Sequence, residues 1–470
     1  MRTQNSLFYL TLFLIFLSYI INLNYNTPFN DEAIYIVIGR LGLFAGDWFT
    51  YGAGFWMAGF PFFYPSFTAL AYQIGGIIGS RFLNVVFGIM AIEEIYRFTR
   101  QLRLFDPDTN QLAGIIAATV LGFSAAGTFV PRLATYDMPC FFLLLLSANC
   151  FLKAGNYRNG KYYFLSAAAL FASFLIKIVA AVYYPPLLLL SLFILRSRDP
   201  VHRSLYLKYF IIPLAMGLAL YALLYSAFLT VFTQTHINEG VSGTARDILT
   251  IIWNNTFPAI ILSLITAPVL LLTQKARPFF LLFLLALVIP VFHLVLNRVP
   301  TLDKHLYLSV AFLSVGIGYS LAWLARNLLP KPIAVLVLPL LIFIYFLSSR
   351  PAVSAFEHNW PNTSRLTEYL HDKVNPADRI LTETGSAVVL ALYDRIYPPT
   401  HTVTFDWIDY SGMQGVPGYA KAVQDKYFDY IELDNLHTDS AISTAIHFNM
   451  IANYSLIYSL DGFDIYAKIN

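Results

Sequence analysis

Two neighbouring stretches near the N-terminus, LFYLTLFLIFLSYIINL at residues 7–23 and NDEAIY at residues 30–35, set the architecture of the chain. The first is an apolar run preceded by Arg2. It is longer than a signal-peptide core and has no A-x-A exit, so it reads as a retained first transmembrane helix. The second places two adjacent carboxylates, Asp31 and Glu32, just beyond that helix. Ten more apolar segments of similar kind follow, at 82–99, 111–127, 139–152, 163–176, 178–195, 209–231, 248–273, 279–297, 306–325 and 333–349, giving about eleven spanning segments. The fifth and sixth meet at Lys177 and are also compatible with one tight hairpin. The composition agrees. Of 470 residues, 57% are hydrophobic and only 12% charged, with 40 Phe and 31 Tyr, which excludes soluble, fibrous and disordered classes. The net charge of +3 gives no reason to expect a nucleic-acid partner.

One further apolar stretch, Phe60 to Gly79, contains Pro61, Pro65 and three glycines, and is expected to lie at the membrane surface. The basic residues support that choice. With the N-terminus in the cytoplasm, 15 Lys and Arg of the membrane region fall on the cytoplasmic side and 7 on the other, as the positive-inside bias requires. The 7 are Arg40, Arg81, Arg132, Lys177, Arg246, Arg298 and Lys304.

Polar residues become frequent from Arg350, and no later run is long enough to span, so the expected division is a membrane domain at 1–349 and a small extracytoplasmic α/β domain at 350–470. Its pattern predicts helices at Ser364–Lys373 and Gly418–Lys426, strands at Arg379–Glu383, His401–Asp406 and Tyr430–Leu433, and a final hairpin turning at Asp461-Gly462. It shows no phosphate loop, metal-ligand set or Ser-His-Asp constellation, so acceptor binding or structural support is its expected role. Cys140 and Cys150, both inside an apolar segment, suit neither a disulfide framework nor a metal site.

The residues able to do chemistry gather at one membrane face. Asp31 and Glu32 point about 100° apart on a helix, so only one of them can face a given small group squarely. Arg132 and Asp137 lie in PRLATYDMP between the third and fourth segments, and Arg298, Asp303, Lys304, His305 and Tyr307 lie between the ninth and tenth. Ionisable groups at membrane depth are costly unless paired or wetted, which marks each as a candidate site residue. Each also has a plainer reading. Asp31 and Glu32 can cap a helix, Arg132 and Asp137 can form a loop ion pair, Lys177 can snorkel, and His293 can be a hydrogen-bonded core residue. The sequons at Asn254, Asn362 and Asn453 fit chance as well as glycosylation.

Taken in order, Asp31-Glu32 after the first helix, Phe60-Pro61-Phe62-Phe63-Tyr64-Pro65, Gly79-Ser80-Arg81-Phe82-Leu83-Asn84, Arg132-Leu133-Ala134-Thr135-Tyr136-Asp137 and Asp303-Lys304-His305 resemble the GT-C glycosyltransferases. The likeness is to the branch of protein O-mannosyltransferases and the lipid A aminoarabinose transferase, over about Leu7 to Ser349. It implies a polytopic α-helical GT-C-like domain that moves a hexosyl or pentosyl unit, with inversion, from a polyprenyl-phosphate donor to an acceptor hydroxyl on the extracytoplasmic face. On that resemblance Asp31, with Glu32 beside it, is the catalytic carboxylate. Arg81, Arg132, Asp137, Lys177, Arg298, Asp303, Lys304 and His305 are the substrate-binding set. A base must reach the attacking hydroxyl, and fixed cations at Arg132, Lys304 and His305 would stabilise the leaving phosphate, with Asp137 orienting Arg132 or a sugar hydroxyl. No cofactor is required and a divalent metal is optional. The chain lacks the long soluble loop of the protein O-mannosyltransferases, which favours a glycolipid or envelope-glycan acceptor. The expected location is the plasma (inner) membrane, among membrane lipids, with no nucleic acid bound. The competing readings are a secondary transporter, whose charges would line a midplane path, and a lipid-linked oligosaccharide polymerase or ligase.

Overall fold

The computed structural model describes residues 2–52, 57, 59–188, 200–238, 242–273, 275–435 and 441–469. Among them, seven helices are long and apolar enough to cross a membrane, or eight when one bent pair is taken as a single span, and three shorter apolar helices accompany them. All eleven expected segments fall on these helices, although part of the sixth (178–195) lies outside the described residues. This is an integral membrane protein.

Contact density divides the chain into two units. The first comprises residues 1–23, 54–63 and 81–356, and the second 24–53, 64–80 and 357–470. The second is therefore larger than the expected C-terminal segment, since it takes in the Asp31 loop and part of the apolar stretch around Pro65.

In the first unit the helices are α1 (Arg2–Ile20), α4 (Pro107–Phe123), α5 (Ala125–Phe129), α6 (Asp137–Tyr157), α7 (Gly160–Ile176), α8 (Pro200–Tyr206), α9 (Ile212–Asn238), α10 (Ala245–Leu272), α11 (Ala276–Leu296) and α12 (Leu302–Asn327). It also holds most of α13 (Lys331–Glu357). Helix α12 is the hub, packed by α4, α10 and α11 and buried along most of its length. Small residues make this possible. Ser309, Ala311, Ser314, Gly316, Gly318, Ser320 and Ala322 leave the backbone open to close approach, and a Cβ at Gly318 would lie 2.4 Å from the Ala113 carbonyl oxygen.

Helix α3 (Phe63–Leu102) joins two expected elements, the surface helix of Phe60–Gly79 and the span of 82–99, into one 40-residue element. Gly75 (φ −140°) and Gly76 (φ 59°) break its regularity near the end of the first of these. Only glycine adopts the second of these conformations without strain.

The second unit begins with α2 (Asn30–Ala45) and contains a five-stranded sheet of order β2-β1-β5-β7-β6. Strands β1 (Ile380–Thr382), β2 (Thr402–Thr404) and β5 (Tyr430–Asp434) are parallel, while β6 (Tyr454–Leu460) and β7 (Phe463–Lys468) form the expected terminal hairpin, with Asp461 and Gly462 at positive φ. A two-stranded ribbon, β3 (Asp409–Tyr410) with β4 (Met413–Gln414), lies outside this sheet. The expected helices appear as α14 (Ser364–Lys373) and α16 (Gly415–Gln424). Two more, α15 (Ser386–Ala391) and α17 (Ala441–Asn453), carry no sequence signal distinctive enough to be read in advance. Two apolar clusters, one around Tyr419, Phe428 and Ile431 and the other around Leu370, Ile380 and Ile465, flank the strands. In the middle of β5, Glu432 is fully buried. Burial pushes its carboxyl up to about 7, against hydrogen bonds from the Thr382 hydroxyl (2.6 Å) and the Thr384 amide and hydroxyl (3.1 and 2.7 Å) that act to lower it.

Candidate active site

In the first unit the geometry begins with a bend. Ser124 ends α4 and caps α5, accepting the Gly127 amide at 2.9 Å, and the chain turns by 76° there. A Cβ at residue 127 would lie 1.7 Å from the Leu121 carbonyl oxygen, so the turn demands glycine. The bend delivers the loop Arg132–Tyr136 to the start of α6. Asn84 pins that loop by donating to the carbonyls of Leu133 and, at 2.6 Å, Thr135. Arg132 donates to the carbonyls of Ile21 (3.1 Å) and Asn22 (2.9 Å), and Arg81 to that of Leu23 (2.7 Å). These carbonyls close the end of α1, where helix geometry leaves oxygens without intrahelical donors. Two arginines expected to bind substrate are thus both engaged in anchoring the first helix.

Asp137, in the first turn of α6, is the focus of the unit's charged residues. Lys177 Nζ lies 2.5 Å from its Oδ1, Lys304 Nζ 4.0 Å from Oδ2 and His305 Nε2 3.8 Å from Oδ1, while the Thr135 hydroxyl donates to Oδ2 at 2.8 Å. All four ionisable side chains are less than 10% exposed. Lys177 therefore does not snorkel. It follows α7 in an extended conformation (φ −147°, ψ 122°), which ends the helix and turns the side chain inward, above the Tyr136 ring. Lys304 and His305 enter from the first turn of α12, where Asp303 accepts the Lys304 amide at 2.8 Å. Asp137 thus lies beside two ammonium groups in a dry setting where charge acts strongly.

Sequence reasoning treated His293 as a core histidine, and the structure gives it a more specific place. Its Nδ1 is 2.7 Å from the Arg298 carbonyl oxygen, and its Nε2 is 3.0 Å from His305 Nδ1. Arg298 contributes its backbone to this arrangement. The tie joins α11 to α12 and was not legible from spacing, because residues 293 and 305 sit on different helices.

In the second unit, Asp31 and Glu32 separate as expected. Glu32 is buried and accepts the Phe29 amide at 2.8 Å, which is the capping role, whereas Asp31 is only half-buried. Helix α2 packs on α15. Asn30 Oδ1 accepts the Ser386 amide at 2.8 Å, and the hydroxyls of Tyr51 and Ser386 are 2.6 Å apart. Gly385 (φ 85°) makes the turn that brings these groups together. Arg40 pairs with Asp394 at 2.7 Å and lies over the Tyr393 ring. Asp406, two residues after β2, is solvent-exposed but has protein atoms around its carboxyl. Lost hydration there raises its carboxyl above the usual range, and the negative charge of Asp31 raises it further. Among the described residues no group of three His, Cys, Asp or Glu is placed to hold a metal ion.

These features define a polytopic membrane protein with the fold of the GT-C glycosyltransferases. Over residues 60–226 the chain matches the family described as dolichyl-phosphate-mannose-protein mannosyltransferase. Its fold is similar to that of ArnT from Cupriavidus metallidurans bound to undecaprenyl phosphate, with a TM-score of 0.66 and 13% identity over 98% of this chain and 97% of that one. It is also similar to the Archaeoglobus fulgidus oligosaccharyltransferase in the apo form (TM-score 0.59, 14% identity, 99% of this chain and 74% of that one). A further likeness is to the arabinofuranosyltransferase AftD from Mycobacteria (TM-score 0.51, 14% identity, 100% of this chain and 42% of that one). No curated protein sequence matches the chain.

Proposed function

We propose that the protein is an integral-membrane glycosyltransferase that transfers a sugar from a polyprenyl-phosphate donor to a hydroxyl of a glycolipid or envelope glycan, with inversion, at the extracytoplasmic face of the plasma membrane. The observation that carries this reading is the buried cluster of Lys177, Lys304 and Asp137, whose two ammonium groups suit a phosphate, within a fold similar to that of ArnT bound to undecaprenyl phosphate. As the glycosidic bond breaks, charge accumulates on the leaving phosphate, and fixed ammonium groups stabilise that state more than the ground state. Phosphate leaves without needing a general acid.

The attacking hydroxyl must lose a proton to a base. Asp137 is already engaged by two lysines, which makes it a poor proton acceptor. Asp31, half-buried in the first turn of α2, is the better base. Asp137 then serves to hold the lysines in place. The C-terminal domain, which packs on the Asp31 helix through Asn30, Tyr51 and Ser386, supports the acceptor side.

The test is to incubate the purified full-length protein in lipid nanodiscs with a panel of hexosyl and pentosyl undecaprenyl phosphates and an envelope-glycan extract, and to measure release of undecaprenyl phosphate. Acceptor-dependent release from one donor is expected. Uptake of a donor or solute into vesicles without any release would favour a transporter, and transfer of oligosaccharides alone would favour a polymerase or ligase.

A further inference from the structure

The two histidines beside Asp137 have a protonation pattern that geometry dictates. A carbonyl oxygen only accepts, so the 2.7 Å contact between His293 Nδ1 and the Arg298 carbonyl puts a hydrogen on Nδ1. Neutral His293 then has a bare Nε2, and the hydrogen shared with His305 across 3.0 Å belongs to His305 Nδ1. Both rings are neutral on charge count. The charged groups that face them include three cations, Lys177 after α7, Lys304 of α12 and Arg298 beside His293, and the carboxylate of Asp137 on α6, and a further buried cation among them would be costly. The outcome is a bare, buried Nε2 on His305 that has no hydrogen-bond partner and that lies 3.8 Å from Asp137 Oδ1, itself an acceptor. A buried acceptor of this kind calls for a donor. Phosphate oxygens cannot supply one at neutral pH, whereas a hydroxyl can.

We propose that His305 Nε2 is the acceptor for a hydroxyl of the donor's glycosyl unit, and that His293, anchored on the Arg298 carbonyl, is the positioning residue that fixes His305 in the required tautomer. The inference rests on the glycosyltransferase reading above and divides the site by chemistry. The ammonium groups take the phosphate, and the imidazole selects for a hydroxyl on the sugar. A site built to receive a hydroxyl rejects the analogue that lacks it.

The experiment uses the full-length protein in nanodiscs and two readouts. In the first, ¹⁵N-histidine NMR, with His305 assigned by its loss in His305→Phe, is expected to show a bare ring nitrogen that shifts when the productive undecaprenyl-phosphate sugar is added. In the second, kcat and KM are measured for that donor and its monodeoxy analogues. Wild type is expected to disfavour one monodeoxy donor by about tenfold or more, the size of one buried hydrogen bond. His305→Phe should bring the parent donor down to the level of that analogue. His293→Leu should raise KM for the parent with kcat largely kept. His293→Gln, whose amide can donate to the Arg298 carbonyl and accept from His305, should restore it.

Equal deoxy discrimination in wild type and His305→Phe would show that a water, not the sugar, occupies Nε2 and would overturn the proposal, as would a protonated Nε2 in the NMR spectrum. If wild type releases no undecaprenyl phosphate from any donor, the glycosyltransferase reading falls and this assignment with it. That failure is distinguishable because the spectrum reports the tautomer independently of turnover.

Discussion

Lys177 and Asp137, forty positions apart in sequence, meet with Nζ 2.5 Å from Oδ1, each less than 10% exposed. The contact exists because α7 ends at Ile176 in an extended residue and because the bend at Ser124 sets the start of α6. Taking two charges out of water is expensive, and a pair so buried persists only where its partners are well placed. Here Lys177 shares Asp137 with Lys304, whose Nζ lies 4.0 Å from the other carboxylate oxygen.

The pair allows packing to be separated from chemistry. Lys177→Ala strands the Asp137 carboxylate and should destabilise the protein by about 3–5 kcal/mol as well as abolishing transfer. The triple variant Lys177→Met, Asp137→Leu and Lys304→Met, which removes all three charges together, should recover most of that stability while remaining inactive. Thermal unfolding of both proteins, read beside the release assay, checks the prediction. A triple variant that regained activity would show that the charges serve the fold alone.

The two adjacent carboxylates should respond differently. Asp31→Asn is expected to lower turnover by at least about 100-fold with no change in melting temperature, because it removes a proton acceptor at almost constant volume. Glu32→Gln weakens the contact to the Phe29 amide and should cost about 1 kcal/mol of stability with far less effect on turnover. The reverse pattern would transfer the base to Glu32.

Helix α2 crosses α3 at Gly39, where an added Cβ would lie 1.9 Å from the Pro65 carbonyl oxygen. Backbone on both sides leaves nothing able to give way by a rotamer change. Gly39→Ala should therefore destabilise the second unit by about 3 kcal/mol, at the upper end for overpacking. The readout is a fall in the protection of α2 and α15 amides against hydrogen exchange.

Glu432 supplies a pH test. Its folded carboxyl titrates near 7, above the value near 4.5 of an exposed glutamate. The folded state therefore holds a proton that the unfolded chain has released. The associated stability is fully present below about pH 4.5 and is lost as pH rises through 7, a difference of about 3 kcal/mol. Protection factors of β1 and β5 amides, corrected for intrinsic exchange, should fall between pH 5 and 8 in wild type and stay flat in Glu432→Gln. A rise with pH in wild type would contradict the assignment.

The positions of the membrane helices were legible because lipid imposes a single strong rule, a long apolar run with its backbone satisfied internally, and all eleven expected segments carry helices. Arg81, Arg132, Asp137, Lys177, Lys304 and His305 were also legible as unusual, since ionisable groups are rare at such positions. Their roles were not. Sequence paired Arg132 with Asp137 or with substrate, whereas the structure shows Arg132 on the end of α1 and Asp137 between two lysines. Nor did it assign partners to Asn84 or His293, because those partners lie on other segments.

What the sequence determined by itself was the solvent of each segment, because hydropathy and charge are local and additive along a chain. Which buried charge meets which, which of two adjacent carboxylates is spent on a helix cap, and which nitrogen of a histidine is left bare were decided only by tertiary structure. Those outcomes depend on hydrogen-bond geometry at about 3 Å between segments far apart in sequence, where a small shift exchanges one partner for another.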